Sequence, residues 1–314
     1  MRASTGSTRR RLWVFNLDAE IELERGGGGG PYQAPQRVLD GLRPSLGDAR
    51  RVMAEGDASL DDLDDALTAD APRPAQSPEQ PWLGAAWCPT PSALRRLARA
   101  GAELPSSPSL AILRQVNHRR FYLELGGGAP GARYVEVADE LRSTLAERRV
   151  WLFKRPFSFA GRGQRRIPLT PSKDDERWLA DGLRLGGLLA EPWLELEREV
   201  AIHGVLDAQG RLALGAVCVQ ETNSFRAWVA TRRAGAGDVG PSDVQALRSR
   251  AESVAAALSD AGYFGPFGLD AYFFKSAAGA SVLNPLGELN ARFSMGFPVG
   301  DPRFPNEDVG PSAP

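Results

Sequence analysis

The run from Gly265 to Phe274 is almost wholly apolar, yet it carries a carboxylate, Asp270, at its centre. Such a run reads as a strand, and an acid buried within it is costly unless it is paired or bound to a cation. The next apolar stretch, Ser281 to Asn290, lies beyond a hairpin loop over Lys275 to Ala280 and ends in Gly287-Glu288-Leu289-Asn290-Ala291-Arg292. Side chains alternate along a strand, so Glu288 and Asn290 point to one face. Asp270, Glu288 and Asn290 are hard oxygen ligands of the kind Mg²⁺ takes while sharing its octahedral coordination with phosphates. The alternative for the same residues is an aspartate in a salt bridge beside a polar strand end.

Two further constellations precede this one. Arginine supplies nearly all the basic residues, and the lysines are Lys154, Lys173 and Lys275, so each retained lysine is a candidate for a specific task. Lys154 closes the strand Val150 to Lys154 and is followed by Phe159-Ala160-Gly161-Arg162-Gly163-Gln164. Glycines let backbone N–H groups approach a phosphate chain, and a lysine at the strand base adds a point charge. A tight hairpin turn with an edge lysine would look the same. The other constellation, Leu188 to Leu194 with Glu191-Pro192-Trp193-Leu194 and then Glu199, reads as a hinge that receives an adenine and ribose, or as a strand turn with solvated acids. Gly26 to Gly30 does not join a strand to a helix as GxGxxG, and no GxxxxGK[ST] is present, so neither a Rossmann fingerprint nor a P-loop applies.

A chain of 314 residues, 42% hydrophobic and 25% charged, is long enough for two or three core-bearing units. Its formal charge of -1 supplies no field to gather nucleic acid or an anionic membrane. Cys88 and Cys218 fit neither a disulfide framework nor a zinc site and read as reduced core residues. The basic start, Met1 to Arg11, precedes an apolar run, Leu12 to Leu17, too short for a signal-peptide core. No stretch approaches the roughly 20 apolar residues of a membrane span. A cytoplasmic protein is expected.

Strands are expected at Leu12 to Leu17, Arg51 to Met53 and Leu83 to Cys88, with Thr90-Pro91 capping a helix over Ser92 to Ala100. Gly56 to Pro81 reads as a solvated acidic connection and Leu110 to Leu125 as a helix broken by Gly126-Gly127-Gly128. Beyond Arg149 come strands at Val150 to Lys154, Gln164 to Leu169, Gly187 to Glu191, Glu197 to Leu206 and Leu212 to Gln220, with helices at Ser172 to Leu185 and Ser242 to Ala261.

The three constellations, in this order and spacing, resemble the ATP-grasp superfamily over roughly Asn117 to Gly300. The resemblance implies an α/β (α+β) chain: a small preATP-grasp-like α/β domain over 1–109, and an ATP-grasp domain over 110–314 with a lid subdomain about 130–190 and a C-terminal subdomain about 191–300. It implies that Lys154 contacts ATP phosphates under a lid of Phe159, Ala160, Gly161, Arg162 and Gly163. Glu191, Trp193 and Leu194 would form the adenine hinge, with backbone groups of Trp193 and Leu194 reading the base, and Glu199 would hold the ribose. Asp270, Glu288 and Asn290 would coordinate Mg²⁺, with Mn²⁺ as the alternative ion, and Arg292 would stabilise the phosphoryl group in transfer.

This chain departs from the family's pattern in the linker. Where the family places a second phosphate-binding lysine, the stretch is Val116-Asn117-His118-Arg119-Arg120-Phe121, and Arg119, or else Arg120, would supply a forked cation in its place. The family's arginine before the first metal carboxylate is absent, leaving Arg226 or Arg232 for substrate contact. The implied reaction is ADP-forming ligation of a small-molecule or peptide carboxylate to an amine-type nucleophile. A phosphotransferase of the same fold and a non-catalytic ATP-binding protein are the alternatives. The substrate surface is expected between Asn16 to Glu22, Pro89 to Pro91 and Glu221 to Arg233. His118 and His203 read as structural, as do Trp82, Trp87 and Trp228.

Overall fold

Leu12, Trp13 and Val14 are apolar at consecutive positions because their strand is covered on both faces. The computed structural model describes residues 10–26, 32–60, 81–158, 162–222 and 228–301. The chain divides into two compact units, Met1–Leu110 and Ala111–Pro314.

In the first unit, β1 (Arg11–Val14) leads into α1 (Ala19–Arg25), α2 (Gln36–Leu42) and α3 (Leu46–Ala49), then β2 (Ala58–Ser59), β3 (Leu83–Ala86) and α4 (Pro91–Arg99). The strands form a parallel sheet in the order β2-β1-β3. The strand expected at Arg51 to Met53 is instead a 3₁₀ turn, Arg50–Val52, and the pairing strand lies a few residues on. Asp57 places it: its carboxylate accepts from the Arg11 N–H at 2.8 Å and from the Trp13 indole at 2.9 Å. Thr90 precedes α4 as expected but does not cap it with its side chain. Its hydroxyl accepts from Asn16 at 3.0 Å, while Glu22 takes the Ser92 N–H of the first turn at 2.9 Å. Gly27 to Gly30 and most of the expected acidic connection lie outside the described residues.

The second unit opens with α5 (Leu110–Asn117) and α6 (Arg119–Glu124), so the single helix expected over Leu110 to Leu125 is divided. His118, with extended backbone angles, breaks it and accepts the Arg120 N–H on Nδ1 at 3.1 Å. There follow β4 (Arg133–Val135) and α7 (Ala138–Ala146), neither foreseen from sequence, then β5 (Trp151–Lys154), β6 (Gln164–Ile167), α8 (Lys173–Arg184) and β7 (Leu188–Pro192). The strands make an antiparallel sheet, β4-β7-β5-β6, over a core of Trp151, Phe153, Ile167, Leu179 and Leu188.

A second antiparallel sheet follows. β8 (Leu196–Leu206), β9 (Leu212–Thr222), β10 (Trp228–Arg233), α9 (Pro241–Asp260), β11 (Gly265–Lys275), β12 (Ser281–Asn290) and α10 (Phe297–Gly300) complete the described chain. The order is β10-β9-β8-β11-β12, with β10 unforeseen. Helix α9 packs against the sheet through Leu247, Ala251, Val254 and Leu258. Strand alternation puts Val200, Ile202, Leu269 and Leu289 on one face and Glu199, Asp270, Glu288 and Asn290 on the other.

β12 is an edge strand and carries Pro285, a residue confined to edges and bulges. The register to β11 slips between Asp270 and Tyr272. At the slip the chain's glycine run docks on the open edge: Gly128 donates to the Leu286 carbonyl at 2.8 Å and accepts from Asn284 at 2.7 Å. The run is thus a packed element as well as a helix break, because a Cβ at Gly127 would lie 2.7 Å from Leu286.

His203 lies in the core of this sheet, fully buried, with neither ring nitrogen hydrogen-bonded to any of the described residues. The turn at α10 closes over it so tightly that a Cβ at Gly300 would lie 2.5 Å from Nδ1. Burial lowers its pKa to about 4, opposed by the charge of Asp301. A base whose folded pKa lies below its unfolded value is neutral in the fold. Its contribution is complete above the unfolded value, about 6.5, and is lost as pH falls toward 4. Denaturant titrations at pH 7 and pH 4.5 should therefore show a drop in unfolding free energy that is smaller, by about 2 kcal/mol, in His203→Leu than in the parent.

Candidate functional site

Lys154 ends β5 of the four-stranded sheet, and its side chain comes within ion-pair reach of β12 of the five-stranded sheet. Its backbone pairs with β6 and β7, its side chain is buried, and its ammonium meets Glu191 of β7 at 2.7 Å and Glu288 of β12 at 3.8 Å. Burial works against the charged lysine, but Glu191 overcomes it and raises the pKa. Glu191 is itself buried and accepts the Ala129 N–H at 3.0 Å. Its side chain therefore holds the lysine, at the start of the segment expected to form the hinge.

Arg119 supplies the second cation. The break at His118 turns the start of α6 inward, and the Arg119 N–H donates to the Pro156 carbonyl at 3.1 Å. Its guanidinium contacts Glu288 at 3.0 Å, the Arg155 carbonyl at 3.1 Å, the Tyr122 hydroxyl at 3.2 Å and Ser158. Only a planar fork reaches all four; a lysine would reach one or two. Arg120 points away, pairing with Glu136 at 2.6 Å and lying over the Tyr134 ring. Between the two arginines left open by the sequence, Arg119 is the one at the carboxylates.

Below these cations lies the polar face of the five-stranded sheet. Asp270 and Glu288 stand directly opposite in register. Asp270 accepts from Gln220 at 2.6 Å on one oxygen and from Asn290 at 2.9 Å on the other. Burial pushes its carboxyl up to about 7, with Glu288 adding to the rise and the Gln220 hydrogen bond opposing it. Glu288 has the opposite fate. Burial raises it too, but Arg119 and Lys154 outweigh that and hold it at about 2. Arg292 is buried nearby, donates to the Phe293 carbonyl at 2.7 Å, and lowers the pKa of both acids. Glu199, on the same face of β8, accepts from Thr222 at 3.3 Å.

Among the described residues no three His, Cys, Asp or Glu side chains gather as a metal group. Two carboxylates and an amide nevertheless suit Mg²⁺, because the remaining positions of an octahedral ion are filled by phosphate oxygens and water. A carboxyl held up near 7 between amide donors is a group that gains a partner when a cation arrives.

Of the expected lid, Phe159, Ala160 and Gly161 lie outside the described residues, Arg162 is exposed, and Gly163 closes the turn by accepting the Arg155 N–H at 2.8 Å. Gly163 has a φ of 72°, and a Cβ there would lie 2.9 Å from Ser158. In the expected hinge segment one backbone donor is already engaged. The Trp193 N–H is donated to the Val150 carbonyl at 2.9 Å and so faces the sheet, while Arg166 covers the indole. Of the arginines expected at the substrate, Arg232 is engaged by Asp238 at 2.6 and 2.8 Å, and Arg226 lies outside the described residues. Sequence reasoning missed Gln220, Thr222 and Tyr122, whose polar groups sit in ordinary strand and helix patterns.

No family model matches the chain, and a comparison with curated proteins finds no match. Solved structures do match. The biotin carboxylase domain of the Hydrogenobacter thermophilus 2-oxoglutarate carboxylase, solved with MgADP, ADP and bicarbonate, is 14% identical at a TM-score of 0.50, covering 77% of this chain and 56% of that one. N5-carboxyaminoimidazole ribonucleotide synthetase from Thermus thermophilus is 20% identical at a TM-score of 0.45, covering 68% and 55%. Carboxyaminoimidazole ribonucleotide synthase from Aspergillus clavatus, complexed with ATP, is 17% identical at a TM-score of 0.46, covering 91% and 71%. The chain spans little more than half the length of the first structures it matches. The fold is the ATP-grasp fold, of mixed helix and sheet. No described helix is long and apolar enough to cross a membrane.

The buried pair generates a test. Glu191→Ala removes the nearer of the two carboxylates at Lys154 and should lower unfolding free energy by about 3 kcal/mol, whereas Glu191→Leu combined with Lys154→Met should recover most of that loss in the same denaturation assay.

Proposed function

We propose that this chain binds Mg-ATP between its two antiparallel sheets and uses it to activate a carboxylate for ligation. The observation that carries the reading is the convergence of Arg119 and Lys154 on Glu288, at 3.0 and 3.8 Å, beside Asp270 and Asn290. Buried cations above hard oxygen ligands are what a polyphosphate and its metal require. The fold likeness agrees with it.

In this reading Lys154 and Arg119 exchange their bonds to Glu288 for phosphate oxygens. Asp270, Glu288 and Asn290 would hold Mg²⁺, which neutralises charge on the terminal phosphates. Glu199 would take ribose hydroxyls, and backbone groups of Trp193 and Leu194 would read the base. A substrate carboxylate oxygen then attacks the γ-phosphorus as the bond to the β–γ bridging oxygen breaks and ADP leaves. Arg292, near both metal carboxylates, would stabilise the charge spread over the phosphoryl group. An amine next attacks the acyl carbon, the C–O bond to phosphate breaks, and the amine's proton passes to solvent. The protein supplies position and charge, and no side-chain nucleophile is needed.

With Mg-ATP, a panel of carboxylic acids and hydroxylamine, the expected products are a hydroxamate, ADP and phosphate. AMP with pyrophosphate would overturn the assignment, and a stable phosphorylated product would make the protein a phosphotransferase. Arg292→Ala should cut hydroxamate formation by about 100-fold, with ADP affinity in calorimetry nearly unchanged. Glu288→Gln should abolish the Mg²⁺ dependence of ADP binding; an unchanged dependence would remove Glu288 from the metal site.

A further inference from the structure

The open edge of β12 is held at a second point. Asn117, the last residue of α5, accepts the Ala291 N–H at 3.0 Å and donates to the Ala291 carbonyl at 3.3 Å, while the same amide donates to the Leu113 carbonyl at 2.9 Å. One side chain thus pairs with a peptide unit as a neighbouring strand would, and also ties off its own helix. Ala291 is the fully buried residue between Asn290 and Arg292. Asn117 stands two residues before Arg119, whose guanidinium reaches Glu288 on the same strand. With Gly128 bound at Leu286, the linker is fastened to β12 on both sides of Glu288.

We infer that Asn117 is a positioning residue that sets the register between the linker cation Arg119 and the oxygen ligands of β12. The inference rests on the reading of this face as a Mg-nucleotide site. Lys154 sits on the other sheet, held by Glu191. Contacts of the nucleotide with that sheet are therefore independent of Asn117. The contribution of the cation is not, because Glu288 and Asn290 take their places from β12. Loss of the clamp should therefore cost the metal-dependent part of binding most, and cost the metal-free part, to which Lys154 contributes independently beside Arg119, less. A residue that only stabilised the fold would weaken both parts alike.

The test is calorimetric titration with ADP, with and without Mg²⁺, on the parent, Asn117→Ala and Asn117→Asp, each at a temperature where circular dichroism reports a folded protein. In the parent, Mg²⁺ should tighten ADP binding. In Asn117→Ala that gain should shrink by about tenfold, the usual cost of removing a group that orients a metal ligand, with metal-free affinity falling by clearly less. Asn117→Asp keeps the acceptor for the Ala291 N–H but sets a carboxylate oxygen against two carbonyls, so an intermediate gain is expected. If the parent shows no Mg²⁺ effect, the nucleotide-site reading fails. If the parent shows one and either folded variant retains it in full, or if metal-free binding falls equally, the role given to Asn117 is wrong. Should Asn117→Ala not fold, Asn117→Asp alone decides by the same criterion.

Discussion

Glu288 receives two buried cations from different directions, Lys154 from the four-stranded sheet and Arg119 from the linker helix. Neither cation tolerates isolation in a low-dielectric interior, since a buried charge without a partner costs several kcal/mol. The surrounding architecture supplies partners: Glu191 braced by the Ala129 amide, and carbonyls and hydroxyls around the guanidinium of Arg119. The fold around the site is largely the arrangement needed to keep these positive groups close together without exposing them.

The same geometry divides two acids that are equivalent in sequence terms. Asp270 and Glu288 face each other across a strand pair, yet one carboxyl is pushed up to about 7 and the other held at about 2. The difference follows from donor type. Glu288 has charged donors, whereas Asp270 has the neutral amides of Gln220 and Asn290. Two carboxylates sharing a site cannot both ionise cheaply, and the one with the stronger counter-charge wins.

Much of this was legible in the residue pattern. The strands bearing Lys154, Glu191, Asp270 and Glu288 follow from apolar runs, and Glu288 and Asn290 share a face because strand side chains alternate. Three kinds of feature were not legible. Short elements such as β4 and β10 have no periodicity to read. The break at His118 depends on a ring nitrogen capping the next helix, where local sequence favours one continuous helix. Long-range polar partners, such as Asp57 holding Trp13 or Gln220 holding Asp270, carry no local signature because the bond spans 44 or 50 residues. The bond from the Trp193 N–H to the Val150 carbonyl is of the same long-range kind.

The covered margin of β12 has a bearing on how this sheet meets other chains. A strand at the end of a sheet normally presents a ladder of unused donors and acceptors, a template for a visiting strand. Here Pro285 removes one donor, the register slip beside it bends the ladder, and Gly128 and Asn117 occupy rungs on either side of the candidate site. A peptide seeking to extend the sheet at this margin would have to displace the linker that carries Arg119. Closure against strand addition and placement of the cation are thus one and the same contact, so a lesion that loosened the linker would disarm the site and expose an adhesive edge together.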